Sequence, residues 1–185
     1  MRFLSLKKSV RWTEPGADGI INETVWGWGA FTVHKTGRAA GWPRALFYLI
    51  QFTWGLPVNL VGLAAFLCCR GRCPVRRFHN GIVTLLPGNR GGLSLGVFLF
   101  LSVPNADEYP GLWAHEYGHT IQCLLLGPLY WLVVALPSLI WCHCFAGWRS
   151  RRGIPYDALY CERWATAWGR RWSGPPSGER PAPGP

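Results

Sequence analysis

The amino-acid sequence predicts a mainly α-helical integral membrane protein with one small β-hairpin at about residues 81–102. Two long uncharged blocks, residues 45–69 and 120–148, predict the membrane helices, because a helix needs about 20 consecutive apolar residues to cross a bilayer. Between the blocks, two β-prone runs are joined by the turn-rich segment Pro-Gly-Asn-Arg-Gly-Gly, which predicts the hairpin. We expect a single membrane-embedded domain over residues 1–172, followed by a disordered tail rich in proline and glycine over residues 173–185.

The composition excludes a wholly disordered chain, and the distribution of positive charge indicates residues that flank membrane segments. Of the 185 residues, 49% are hydrophobic and 15% are charged, and the 12 Trp, 9 Phe and 6 Tyr side chains need burial or lipid. The formal net charge is +10, but the arginines are scattered between apolar blocks and form no nucleic-acid-binding motif. Basic residues at the ends of apolar segments attract anionic lipid headgroups. The expected partner is therefore a lipid bilayer and not a nucleic acid.

Residues 45–69 predict one helix that spans the membrane. The block follows Arg44 and precedes a cluster of arginines between positions 70 and 77, as is typical of helix ends at the headgroups. Gln51, Asn59 and the kinking Pro57 are tolerated inside a membrane helix when neighbouring helices satisfy their polar groups. The expected structure is a kinked but continuous helix.

The second block leaves two interpretations open. Gly127-Pro128 and Pro137 interrupt residues 120–148, so one spanning helix and two shorter helices, of which one is re-entrant, are both compatible with the sequence. The apolar run from Leu93 to Val103 is too short to span a bilayer as a helix. We therefore expect it to form one arm of the hairpin, with an apolar face.

The pattern His115-Glu116-x-x-His119 is the sharpest chemical signal in the chain. On a helix, residues four apart lie roughly 40° apart around the axis and about 6 Å along it, so both imidazoles can reach one metal ion. Glu116 projects from the same side of the helix and can accept a proton from a water that the metal activates. The pattern predicts a metal-dependent hydrolytic site.

A catalytic zinc site needs a third protein ligand, and two carboxylates compete for that role. Glu179 is set aside because it lies in the proline-rich tail. Asp157 precedes a helix-like stretch, where a role as N-cap explains it without a metal. Glu162 lies inside that stretch, where a carboxylate is costly unless it is paired. A divalent cation is one sufficient partner for Glu162, and an ion pair with Arg163 or Arg170 is the alternative.

The helical neighbours of Glu162 favour the metal. Ala165, Thr166 and Gly169 lie three, four and seven residues further on, so they share a face with Glu162. Because these side chains are small, the face allows close approach to the helix that carries the histidines. Glu162 is therefore the expected third ligand.

Together, His115-Glu116-x-x-His119 and Glu162-x-x-Ala165 resemble the zinc metallopeptidases of the gluzincin type, including the membrane-embedded members of that group. The resemblance covers two short stretches of the chain. It implies that His115, His119 and Glu162 bind Zn²⁺ and that Glu116 is the general base.

The residue after Ala165 differs from that family pattern. Those relatives commonly have an Asp at this place, where this chain has Thr166. The sequence also resembles small bacterial membrane proteins that carry His-Glu-Tyr-Gly-His followed by Gly-Pro-Leu-Tyr, which implies a location in the bacterial cytoplasmic membrane.

The expected activity is that of a membrane-associated zinc-dependent peptidase acting on a peptide or protein substrate. Tyr156, Tyr160 and His143 are candidate donors to the developing oxyanion. Zincins present substrate as a strand against a sheet edge, and the run before the motif helix, residues 93–102, is a candidate for that edge or simply for core.

Two other functions remain open from the sequence. One is a small membrane protein without catalysis, or an inactive relative of the peptidases, in which the histidines are structural. The other is a basic membrane-surface protein that acts on anionic lipid through the arginines of residues 70–77 and 149–152.

Overall fold

The computed structural model describes residues 43–173, which form helices around a small four-stranded sheet, so the predicted mainly α-helical class is confirmed. The helices are α1 Arg44–Thr53, α2 Leu56–Cys69, α3 Pro110–Leu126, α4 Leu136–His143, α5 Ala146–Arg152 and α6 Tyr160–Ser173. The strands are β1 Val75–Phe78, β2 Gly81–Leu85, β3 Gly91–Leu95 and β4 Phe98–Ser102.

Parts of the predicted domain organisation lie outside the described residues. These are residues 1–42 of the expected domain and residues 174–185 of the expected tail. Ser173 ends α6, so the last helix extends one residue past the predicted domain boundary.

The prediction of one continuous helix over residues 45–69 is wrong, because α1 and α2 meet at an angle of 95°. Pro57 lies in the first turn of α2, where proline starts a helix instead of kinking one. Asn59 stabilises the bend, since its side-chain amide donates to the carbonyl oxygens of Gln51 and Gly55, each at 2.9 Å. From the sequence, Pro57 and Asn59 were expected to destabilise a membrane-spanning helix. In the structure, they lie at the bend between α1 and α2 and stabilise it.

The second apolar block is also bent, which favours the interpretation with two shorter helices. Residues Pro110–Leu129 and Trp131–His143 meet at 118°, with a π-helical turn at Trp131–Ala135 leading into α4. Gly127 allows the bend through its positive φ of 53°, and the indole of Trp54 occupies the space that a Cβ atom would need. Within residues 43–173, length and hydropathy qualify these two bent pairs as candidate spans and qualify no unbroken helix.

The sheet differs from the predicted hairpin in its pairing. Strands β3 and β4 form an antiparallel hairpin, whereas β2 pairs with β4 in parallel, and the strand order is β1-β2-β4-β3. The second β-prone run therefore splits at Gly96, whose φ is 67°. Asn59 fixes this turn by accepting a hydrogen bond from the Val97 amide at 2.9 Å. A residue of α2, distant in the sequence, thus determines where the strand ends.

Helix α3 lies between the sheet and α6, and this arrangement positions the motif. Strand β4 is buried along its whole length and forms the centre of the core with Val83 and Phe47. From Trp113 to Leu124, every residue of α3 except His115 is buried. The motif therefore lies inside the protein, with the sheet on one side and α6 on the other.

Candidate metal centre

Helix α3 presents both motif histidines on one face. Pro110 lies in its first turn, where the missing amide proton costs nothing, and Gly118 does not interrupt the helix. One turn of helix separates His115 from His119, and their ring centroids are 4.8 Å apart. The predicted helical placement of the motif is confirmed.

Small residues bring α6 into backbone contact with α3. A Cβ atom at Gly118 would overlap the carbonyl oxygen of Ala165, and one at Gly169 would overlap the carbonyl oxygen of Ala114. The predicted close approach through the small face of α6 is therefore confirmed. At this separation the side chain of Glu162 reaches the face of α3 that carries the histidines.

The structure brings His115, His119 and Glu162 together. The Glu162 Oε2 atom lies 3.1 Å from His115 Nε2 and 3.3 Å from His119 Nε2. One potential ligand atom of each residue lies within 4.8 Å of the others, so the group can hold a metal ion. Glu162 is 0% exposed, His119 is buried and His115 is partly exposed, so His115 is the most accessible member of the group.

The structure separates the two carboxylates that compete for the role of third ligand. The side chain of Arg163 donates to the Ala158 carbonyl, while Glu162 points to the histidines. Asp157 is exposed in a short 3₁₀ turn before α6, away from the cluster. Glu162 is therefore the carboxylate that meets the motif.

Thr166 determines which nitrogen of His115 carries the proton. The Thr166 hydroxyl donates its one proton to the Glu162 carbonyl oxygen at 3.1 Å. Its oxygen lies 2.9 Å from His115 Nδ1, and it can only accept at that contact. His115 is therefore protonated on Nδ1, and its Nε2 directs a lone pair toward Glu162.

Gln122 imposes the same tautomer on His119. Its amide nitrogen donates to the Cys161 carbonyl at 2.8 Å, which turns its oxygen toward His119 Nδ1 at 2.7 Å. That oxygen can only accept, so His119 donates from Nδ1 and its Nε2 keeps a lone pair. Both imidazoles are thus held by α3 and α6 in the form that binds metals.

Three electron pairs consequently converge on one buried point. Glu162 Oε2 is buried and has no hydrogen-bond partner, although two imidazole nitrogens lie within 3.3 Å of it. Lone pairs at such distances repel one another unless a cation lies between them, which is either a proton held by an imidazole or a metal ion. Two imidazoles and one carboxylate are also the donor set of many catalytic zinc sites, so the residues present fit a zinc ion.

Electrostatics at the cluster also favour a cation. Burial raises the pKa of Glu162, but contact with His115 and His119 outweighs burial and holds that pKa well below its usual range. Burial lowers the pKa of His119, but contact with Glu162 and the charge of Glu116 outweigh burial and raise it. The carboxylate therefore stays charged inside the protein, where a positive charge stabilises it.

Glu116 follows His115 on α3 and faces strand β3, and its charge raises the pKa of His119. The Ser94 hydroxyl is 2.6 Å from the Glu116 carboxylate and 2.8 Å from the Glu116 carbonyl oxygen. Gly92 leaves room for the side chain, because a Cβ atom at that position would overlap the Glu116 carboxylate. Glu116 is 4% exposed, and its contact with Ser94 holds it against the sheet.

The three candidate oxyanion donors have different positions. Tyr156 is partly buried, its hydroxyl lies 3.1 Å from Ser138 Oγ, and burial together with the charge of Glu162 raises its pKa, so it stays protonated. Tyr160 directs its hydroxyl to the Val133 carbonyl instead. His143 is exposed at the end of α4. Tyr156 is therefore the best placed of the three.

Sequence reasoning missed Ser94, Gly92 and Gln122. Gln122 follows His119 by three residues, so helical spacing alone could have indicated the contact. Ser94 and Gly92 left no such signal, because they reach Glu116 only through the packing of β3 on α3. Comparison with protein-family models, with curated proteins and with solved structures finds no match to this chain.

Proposed function

We propose that this protein is a zinc-dependent peptidase that hydrolyses peptide bonds with Glu116 as its general base. One observation carries the proposal: two imidazole nitrogens and the unpartnered Glu162 oxygen meet at one point, and Glu116 on the same helix acts on His119 through its charge. A structural zinc site is normally closed by four protein ligands, whereas a catalytic site has three and an open position. Three such ligands lie together among residues 43–173, which supports the open kind.

The ligand set supports zinc as the metal. His115 and His119 offer neutral imidazole nitrogens, and Glu162 offers one carboxylate oxygen. When bound there, zinc supplies Lewis-acid activation of a water molecule and of the peptide carbonyl. The residues of the chain orient the reactants and move the proton.

Glu116 takes the proton of the attacking water and later delivers it to the leaving amine. The Ser94 hydroxyl holds its carboxylate, so the base does not rotate away during the reaction. Tyr156 can donate a hydrogen bond to the oxyanion, since its raised pKa keeps the phenol protonated.

The open edge of β3 supports a peptide as the substrate. Strand β3 pairs with β4 and has no other strand beside it among residues 43–173. Tyr130 donates to the Ser94 carbonyl at 3.2 Å, whereas Gly92 and Leu93 are exposed. A peptide added as a further strand at Gly92 would lie next to Glu116.

The experiment that tests the proposal is Glu116→Gln in the full chain, assayed on casein or a fluorogenic peptide with zinc present. Loss of the base predicts a rate at least about a hundredfold lower, whereas the bound zinc per chain stays unchanged. Glu108→Gln is the matched control, because Glu108 is an exposed carboxylate away from the cluster, and this change leaves the rate as in the wild type.

Two results would contradict the proposal. Equal cleavage by the wild type and Glu116→Gln would exclude Glu116 as the base. Zinc binding by the wild type without cleavage of any of these substrates would favour the non-catalytic metal-binding protein.

A further inference from the structure

Helices α1 and α2 turn polar side chains inward and apolar side chains outward. Gln51 and Asn59 are buried and hydrogen-bond each other at 2.8 Å. Thr53 is exposed, but its hydroxyl donates to the Leu49 carbonyl of its own helix at 2.7 Å. The outward positions carry large apolar residues, among them Leu49, Phe52 and Leu60. A helix that faces water shows the reverse distribution.

The same inversion recurs in the second bent pair. Leu129 and Leu132 point outward from the bend, and Leu132 is 67% exposed. Ser138 of α4 turns inward, where its hydroxyl lies 3.1 Å from that of Tyr156. Two segments distant in the sequence therefore follow the same rule.

The two bends touch each other. Trp54, at the bend of the first pair, lies against Gly127 at the bend of the second, and its indole nitrogen donates to the Leu125 carbonyl at 3.3 Å. This contact brings the two bent pairs together, and both carry exposed apolar side chains. We name them the apolar surface, represented by Leu49, Phe52, Trp54, Leu60, Leu129 and Leu132.

We propose that the apolar surface contacts the hydrocarbon of a lipid bilayer with anionic headgroups. Extended exposed apolar surfaces are rare on proteins surrounded by water and mark interaction sites. Charge selects the partner, because the α1–α2 pair is bounded by exposed arginines, Arg44 before it and Arg70 and Arg72 after it. Cations at both ends of an uncharged surface complement anionic headgroups above hydrocarbon.

A second copy of the chain would also cover apolar residues, but it would bring the same arginines toward one another at a twofold interface. The bilayer is therefore the favoured occupant. This inference rests on α1, α2 and the π-helical turn, and it is independent of the metal centre.

Photo-crosslinking in vesicles tests the proposal directly. A benzophenone amino acid replaces Leu60, Leu132 or Leu93 in the full chain, reconstituted with phosphatidylcholine and phosphatidylglycerol. Leu93 is the matched control, because it is 55% exposed against 54% for Leu60 but lies on β3, outside the apolar surface. Lipid adducts are expected at positions 60 and 132, at least about tenfold above position 93, since hydrocarbon lies only at the apolar surface.

Crosslinked dimers at positions 60 and 132 would overturn the proposal in favour of a second copy. Equal lipid adducts at all three positions, or none at positions 60 and 132, would overturn it as well. Flotation gives a second measurement on the same chain. Leu60→Ser with Leu132→Ser lowers the fraction bound to these vesicles about tenfold or more, because each change removes an exposed leucine side chain that would enter the hydrocarbon, whereas Leu93→Ser leaves it unchanged.

Discussion

The α3–α6 interface and the bend between α1 and α2 both bury polar side chains, but only one of these networks is complete. At the bend, Gln51 and Asn59 bond to each other and to backbone groups, so every side-chain partner is satisfied. At the interface, Glu162 Oε2 is left without a partner between two imidazoles. A complete buried network stabilises a shape, whereas an incomplete one indicates that a ligand belongs there.

The largest expected effect comes from separating α3 and α6. Gly118→Ala places a methyl group against the Ala165 backbone, which cannot move aside, so the free energy of unfolding falls by about 3 kcal/mol. Gly147→Ala in α5 is the matched control, since nothing lies near its Cβ position. There the exchange raises the free energy by up to ~1 kcal/mol. Denaturant unfolding of both variants checks the difference, and equal stabilities would contradict the tight interface.

Replacing the Glu162 carboxylate is expected to lower the affinity for zinc without changing the fold. Glu162→Gln replaces an anionic ligand by a neutral amide, so zinc affinity falls at least about a hundredfold, more than changes behind the ligands typically cause. Competition with a chromogenic chelator measures it.

Asn59→Ala is the counterpart at the bend. It strips partners from the Val97 amide and from Gln51, so the free energy of unfolding falls by about 2 kcal/mol. Zinc affinity per folded molecule stays at the wild-type value. A drop in affinity comparable to that of Glu162→Gln would erase the distinction between the two networks.

Gln122 is a buried polar residue at the α3–α6 interface, and it orients His119 instead of stabilising a bend. Gln122→Met keeps the volume but removes the acceptor for His119 Nδ1, so zinc affinity falls roughly 10- to 100-fold. At a pH above the raised pKa of His119, nitrogen NMR of the variant apoprotein is expected to show mixed His119 tautomers, whereas the wild-type apoprotein shows the neutral form protonated on Nδ1 alone. An unchanged tautomer would contradict the role of Gln122.

Thr166 is expected to have the smallest effect. Thr166→Val removes the hydroxyl that faces His115 Nδ1, and zinc affinity falls about tenfold. The effect is smaller than at Gln122 because His115 is partly exposed, so water can replace the lost acceptor. Thr166→Ser retains the hydroxyl and is expected to bind zinc as the wild type does, and a loss there would point to packing instead.

The amino-acid sequence predicted the three residues of the cluster but not the residues that contact and orient the site, such as Ser94. His115 and His119 follow from helical spacing, and Glu162 follows from the cost of a carboxylate inside an apolar helix with a small-residue face. Ser94 looked like any other polar residue of a strand. Its contact with Glu116 depends on how β3 packs against α3, which local patterns do not contain.

The sequence by itself determined the helical motif, the mainly helical class and the small face through which α6 approaches α3, because spacing and side-chain size act over a few residues. Only the tertiary structure decided where the helices bend, which strands pair and which tautomers the histidines adopt. Asn59 ends β3 through Val97, and Thr166 orients His115, although each pair is far apart in the chain. Such contacts exist only after folding brings distant segments together, so no local periodicity can record them.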